Sequence, residues 1–290
     1  MTKPLHASPG FAPAALATAL FLTAAAPAAA QQPAAAGPAA LPAPESLATD
    51  RLNHSPRHGE WVKLDAGGGD SVRTWVVYPE RHDKAPVVVV IHEIFGLTDW
   101  VRGVADQLAA AGFIAIAPDL LSGKGPNGGG TESVDRQGAT ALIRTVTPAE
   151  VNRRLDAAAR YGRSLPAATG AVGTVGFCWG GGVSFQQALN LEGIRGAVVY
   201  YGVSPDTALL SGVRAPILGL YAGEDARVGA TVPPAQAVMQ RLGKRFEVAT
   251  FEGAGHGFLR ALAGQNGANQ RAAEQAWPRT IAFFQETLGR

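Results

Sequence analysis

Apolar positions in this chain fall into two alternating patterns, short continuous runs and longer stretches with one apolar face. "APVVVVIHE" (85–93) is β-branched and uninterrupted up to His92, as expected of a strand buried on both faces of a parallel sheet. "SVRTWVVYP" (71–79) alternates instead, the period of a strand with one wet face. "DWVRGVADQLAAAG" (99–112) has helical spacing and stops at Gly112; "FIAIAPD" (113–119) supplies the next strand. Helical patterns over 131–145 and 148–164 lead to "GAVGTVGF" (170–177). Past Cys178 come a helix over 180–190, strands at 196–202 and 215–223, a helix over 233–243, a strand at 246–251 and a final helix over 268–288. This alternation predicts the α/β class: one doubly wound, mostly parallel sheet with helices on both faces and antiparallel strands at its start.

The first residues break that pattern. "MTKPLHASPG" carries one Lys and no acid, an apolar run follows to Pro27, and small residues precede Gln31. That order is expected of a signal peptide over residues 1–30, cleaved after Ala30, which implies export, to the periplasm, with no stable membrane anchor left. An uncleaved anchor or an Ala-rich tail is the alternative reading. Residues 31–56 open on "QQPAAAGPAALPAPES", an expected flexible linker, and the folded body is placed at 57–290, long enough for one α/β domain with its own core.

Composition then removes several function classes. Lys and Arg total 25 against 23 Asp and Glu, a formal charge of +2, with no basic cluster, so no nucleic-acid partner is expected. The His residues lack ligand spacing and "GGGV" lacks the Lys-Ser/Thr of a phosphate loop, so neither metal nor cofactor is expected. The single Cys can form no internal disulfide. A monomer acting on a small molecule is the simplest expectation.

Chemistry concentrates where strands end, the edge at which open α/β sheets bind ligands. "GFCWG" (176–180) has the G-x-nucleophile-x-G spacing of a nucleophile elbow, with Cys178 in the central position. The strand-to-helix turn there is so tight that Cβ atoms two residues either side would collide. The following helix presents its N-terminus to the sulfur, favouring a thiolate and an oxyanion. Asp225 follows the 215–223 strand and His256 follows the 246–251 strand, giving the nucleophile–acid–base chain order of the α/β-hydrolase fold. Glu224 stands beside Asp225 as an alternative acid, and each group alone could be an ordinary loop residue or a buried thiol.

With those residues in place, the chain resembles the dienelactone hydrolase family of α/β-hydrolases. The resemblance rests on "HEIFGLTDWVRGVADQLAAAGF", "IAPDLLSG", "GFCWGGG", "VVYYG", "YAGEDARV" and "GAGHGF". It implies the activity of a carboxymethylenebutenolidase-like carboxylic ester hydrolase: a Cys178–His256–Asp225 triad hydrolysing small esters or lactones through a thioester. It implies that Glu93 sits near the resting thiol and accepts its proton, and that the backbone N–H groups of Ile94 and Trp179 form the oxyanion hole. Arg260 matches one of two arginines that grip a substrate carboxylate in the family. The other falls at Gly123, where Lys124 is the nearest substitute, and His92 replaces a Gln-like position; both departures bear on which substrate is used. A broader acyl-ester or thioester hydrolase, a non-catalytic binding protein on the same fold and a redox-sensing thiol are the competing readings.

Overall fold

A computed structural model of the protein describes residues 40–289, together with the isolated positions 1, 2, 4 and 10. The expected signal peptide and residues 31–39 of the expected linker otherwise lie outside the described residues.

Eight strands form one sheet: β1 (Gly59–Gly67), β2 (Asp70–Val77), β3 (Ala85–Ile91), β4 (Ile114–Pro118), β5 (Ala168–Phe177), β6 (Ile194–Tyr200), β7 (Ile217–Ala222) and β8 (Phe246–Phe251). Their order is β1-β2-β4-β3-β5-β6-β7-β8; the β1–β2 and β2–β4 pairs are antiparallel and every pair from β4 through to β8 is parallel. The helices are α1 (Ala48–Asn53), α2 (Asp99–Ala110), α3 (Arg136–Leu142), α4 (Pro148–Ser164), α5 (Trp179–Asn190), α6 (Ala226–Gly229), α7 (Val232–Arg241) and α8 (Ala268–Leu288). The chain is thus an α/β-hydrolase-type sheet, doubly wound as its apolar pattern predicts.

The uninterrupted valines of β3 explain the two layers. Val88 and Val90 face a core shared with α2 and α8, where Trp100, Trp277 and Phe284 are buried. Val87, Val89 and Ile91 face the opposite core, shared with α4, α5 and α7 through Leu155, Phe185 and Met239. Each such side chain contributes roughly 1.5–3 kcal/mol on burial, and the alternation fixes strand register, because a one-residue slip would exchange the two faces.

Two expectations need correction. The linker does not run to residue 56: a helical turn at Glu45–Leu47 continues into α1, which packs on α2. Thr49 Oγ1 donates to Asp99 Oδ2 at 2.6 Å, Ser55 Oγ donates to Asp106 Oδ1, and Arg57 pairs with the buried Asp106 carboxylate. Three polar anchors thus hold a segment whose Ala/Pro composition suggested a free spacer. The helix expected over 131–145 is also shorter, because Asp135 caps α3 by accepting the Gly138 N–H at 2.7 Å and starts the helix afresh there. Among the described residues, no helix is long and apolar enough to cross a membrane.

Candidate active site

β5 ends at Phe177 and α5 begins at Trp179, so the whole turn is made by Cys178, at φ +57° and ψ −117°. A non-glycine residue there is strained by on the order of 1–3 kcal/mol and persists only where its surroundings enforce it. Here they do. A Cβ on Gly176 would fall on the Gly180 carbonyl, and one on Gly180 would fall on the carbonyl oxygens of Ile91 and His92. The Cys178 N–H is tied to the Tyr200 carbonyl at 3.1 Å, and its own carbonyl accepts from Gly181 at 3.1 Å. Glycines therefore let α5 press onto β3 and β6 and leave the thiol at the rim. Burial pushes the Cys178 thiol above its ordinary pKa, as does the charge of Glu93; the backbone N–H groups of Trp179 and Ile94 and the charge of Arg227 pull the other way. The N–H groups of the two expected oxyanion donors thus favour the ionised sulfur.

His256 stands in the loop after β8, with Nδ1 2.5 Å from Asp225 Oδ2. Asp225 caps α6, its other oxygen accepting the Val228 N–H at 3.3 Å, whereas Glu224 is exposed. Asp225 rather than Glu224 is therefore the carboxylate that orients the imidazole, and the hydrogen bond at Nδ1 leaves Nε2 as the nitrogen available for chemistry. Asn269, buried at the start of α8, braces this loop at both ends: its Oδ1 accepts from Gly255 at 2.9 Å and its Nδ2 donates to Ala261 at 2.8 Å. Tyr201 lies against His256, ring centroids 5.0 Å apart, with φ +39° and a buried hydroxyl without a partner among the described residues.

Glu93, at the end of β3, is 2% exposed. Burial raises its pKa to about 7 against the opposing charge of Arg260. Arg260 Nε lies 2.8 Å from Glu93 Oε2, a charge contact whose N–H direction is off the hydrogen-bond axis. Arg102, the other base near in sequence, pairs with Asp99 instead. Arg260 also donates from Nη1 to Glu45 Oε2 at 2.8 Å, and Arg136 Nη1 donates to Glu45 Oε1 at 2.7 Å. Phe95 lies under both guanidiniums, 3.5 Å from Arg136 and 5.4 Å from Arg260. Lys124 does not join this group: its ammonium is paired with Glu150 Oε1 at 2.5 Å, beside the capping box that opens α4. Gly123 lines a separate cleft of about 400 Å³ with Trp61, Arg73 and Glu132.

His92 is fully buried and is a bracket between strand ends. The Leu120 N–H donates to Nε2 at 3.1 Å, so Nδ1 carries the proton given to the Glu93 carbonyl at 2.7 Å. Burial holds its pKa below the ordinary value, keeping the ring neutral.

The structure therefore gathers Cys178, Ile94, Trp179, Glu93 and Arg260 at one edge of the sheet, with the Asp225–His256 pair linked to them through Tyr201, whose phenol is influenced by Glu93, Arg260 and Cys178. It adds Tyr201, Asn269, Arg227, Arg136 and Glu45, none of which carried a site signal in the sequence. Among known proteins, the dienelactone hydrolase family matches residues 72–288. The chain belongs to the dienelactone hydrolase family. A relative from Saccharolobus solfataricus named "Putative carboxymethylenebutenolidase" is 29% identical over 247 residues, 74% of this chain and 94% of the relative. The "Putative Dienelactone Hydrolase" structure from Klebsiella pneumoniae superposes with a TM-score of 0.70 at 25% identity, covering 79% of this chain and 99% of that one. An acylaminoacyl peptidase of Pyrococcus horikoshii, at 15% identity and TM-score 0.64, covers 84% of this chain and 44% of its own and shares the fold. The chain is a dienelactone hydrolase-like hydrolase.

Proposed function

We propose that this hydrolase cleaves small esters or lactones by a thioester mechanism on Cys178. The observation that carries the reading is the strained Cys178 on the N-terminus of α5, where the backbone N–H groups of Trp179 and Ile94 favour a thiolate. At rest the thiol is neutral, because burial and the Glu93 carboxylate both oppose its ionisation. A neutral thiol resists oxidation until substrate arrives.

Glu93, poised with a pKa of about 7, takes the thiol proton. The thiolate attacks the ester carbonyl, and the two N–H groups hold the resulting oxyanion. Collapse breaks the carbon–oxygen bond of the ester; the leaving oxygen takes the proton from the Glu93 carboxyl, and a thioester remains. His256 Nε2 then removes a proton from water, the hydroxide adds to the thioester, and collapse expels the Cys178 thiolate. His256 returns its proton to the sulfur, and the acid leaves. Asp225 holds the imidazole tautomer and stabilises the imidazolium through the 2.5 Å contact at Nδ1.

Cys178→Ala tests this directly. Turnover of small aryl esters should fall by about three orders of magnitude or more, with the folded state retained. His256→Ala should accumulate an acyl adduct on Cys178, visible by mass spectrometry of the intact chain. Full turnover by Cys178→Ala sinks the nucleophile assignment.

The reading includes export to the periplasm, supported by the charged, apolar and small-residue order of residues 1–30. Its check is the N-terminal sequence of the mature chain, expected to begin at Gln31.

A further inference from the structure

Glu45 comes from the segment before the first strand, yet its carboxylate spans two arginines at the site. Each oxygen serves a different guanidinium: Oε1 accepts from Arg136 and Oε2 from Arg260. The Glu45 N–H also donates to the Arg260 carbonyl at 3.1 Å, so backbone and side chain are both docked on that residue. Phe95 beneath the two guanidiniums fixes their planes. The arrangement has the features of a seat for a carboxylate: two guanidiniums, each donating one N–H, and a stacking platform, with Arg260 largely buried and Arg136 at the exposed rim. It is already filled by a carboxylate of the same chain.

We propose that Glu45 is a specificity-determining residue: it occupies the carboxylate seat of Arg136 and Arg260, so the enzyme takes uncharged esters and lactones in preference to those bearing a carboxylate. This rests on the hydrolase reading given above. Charge and tethering both support it. Two cations face Glu45 and Glu93, so little positive charge is left to attract an anion. A substrate carboxylate must also displace a tethered competitor whose effective concentration is in the millimolar range or above and whose ordering cost was met when α1 folded onto α2. Burial raises the Glu45 pKa, but the hydrogen bonds from Arg136 and Arg260 outweigh it and keep the group ionised. The seat therefore stays closed throughout the neutral range.

The experiment compares a neutral aryl acetate with an aryl hemisuccinate, the same leaving group carrying a free carboxylate on the acyl side. The ratio of their kcat/KM values is read in wild type, in Glu45→Gln and in Glu45→Gln/Arg136→Gln. The ratio should rise about tenfold or more in Glu45→Gln, in favour of the hemisuccinate, and fall back in the double variant. Free succinate should inhibit Glu45→Gln and leave wild type unaffected. Should Glu45→Gln fail to fold, Glu45→Asp serves: one methylene shorter, it cannot span both arginines, and the ratio should rise by a smaller factor. A ratio unchanged in the folded variant overturns the proposal, because a merely structural Glu45 would lower both rates together. A wild type that ignores the neutral ester, or whose turnover survives Cys178→Ala, instead defeats the hydrolase reading itself.

Discussion

On the β5–α5 side of the site, Cys178 is held through its backbone: a positive φ, three main-chain hydrogen bonds and glycines that admit neighbouring carbonyls. On the opposite side, Glu93, Arg260, Glu45 and Arg136 are held by charge, in a chain of ion pairs that links four separate segments. The first wall is local and rigid, its position set by steric fit and main-chain bonds. The second is assembled from a distance and responds to pH and to competing ions. An enzyme built this way keeps its attacking atom fixed and leaves substrate choice and proton traffic to side chains that can change.

The largest expected effect falls on the rigid wall. Gly180→Ala places a Cβ on the carbonyl oxygens of Ile91 and His92, and these are backbone atoms of a fully buried strand end that cannot swing aside. Stability should fall by about 3 kcal/mol or more, with ester turnover lost, as read from urea denaturation and a rate assay. The loss should be large at both pH 5 and pH 8, since the clash is between a methyl group and backbone carbonyls. A melting temperature within a degree or two of wild type would show that α5 does not need its close approach to β3.

That difference also governs what the sequence reveals. The elbow reads directly from "GFCWG", because the steric demand and the residues that meet it lie within five positions. β3, β5, β8, α4 and α8 read nearly as well, since apolar runs, strand alternation and helical periods show within each segment. The Asp225–His256 pair needed only chain order and strand ends. The charge wall is another matter. Arg136 lies 91 positions from Glu45, and Arg260 lies 215 from it, so no local spacing could pair them. Lys124, close in sequence to the vacated arginine position, is drawn off by Glu150. α1 was hidden by the Ala/Pro-rich stretch before it; its anchors Thr49 and Ser55 find acids on α2 rather than near neighbours. Tertiary pairing decided these positions, and a single sequence does not display it.

An intermediate effect belongs to Glu93 and has a sign set by its environment. Burial lifts its pKa from 4.5 to about 7, so the folded chain holds that proton more tightly than the unfolded one. The stabilisation is therefore complete below pH 4.5 and is lost as pH rises through about 7. Between pH 5 and pH 8 wild type should lose roughly 2–3 kcal/mol on this account. Glu93→Gln carries no such titration, so the gap between it and wild type in urea denaturation should change by that amount across the interval, in favour of the variant at high pH. Parallel curves would show that the carboxylate ionises freely and that the second wall is not a desolvated charge site. His92 acts in the opposite sense at lower pH. Its depressed pKa means stability is held above about 6.5 and declines as pH falls below that, and Gln at this position should flatten the acid side.

The smallest expected effect separates two adjacent tyrosines at the seam of the walls. Tyr200 ends β6 with its hydroxyl 2.7 Å from Thr280 Oγ1, a buried and satisfied bond. Tyr201, one residue on, has left the strand for φ +39°, and its equally buried hydroxyl has no partner among the described residues. Burial, together with the Glu93 charge, keeps that phenol well above its ordinary pKa, so it stays neutral beside the carboxylate. Removing a satisfied hydroxyl should cost about 1 kcal/mol, whereas removing an unpaired one should cost nothing or stabilise by a few tenths. Tyr200→Phe should accordingly lower stability while leaving ester turnover intact. Tyr201→Phe should leave stability level or slightly raised and change turnover, because its hydroxyl is among the groups surrounding Glu93, Arg260 and Cys178. Equal stability losses in the two variants would place Tyr201 with the rigid wall as a packing residue. The opposed result would place it with the charge wall, as a polar group kept unpaired in the fold because its work is done when substrate enters.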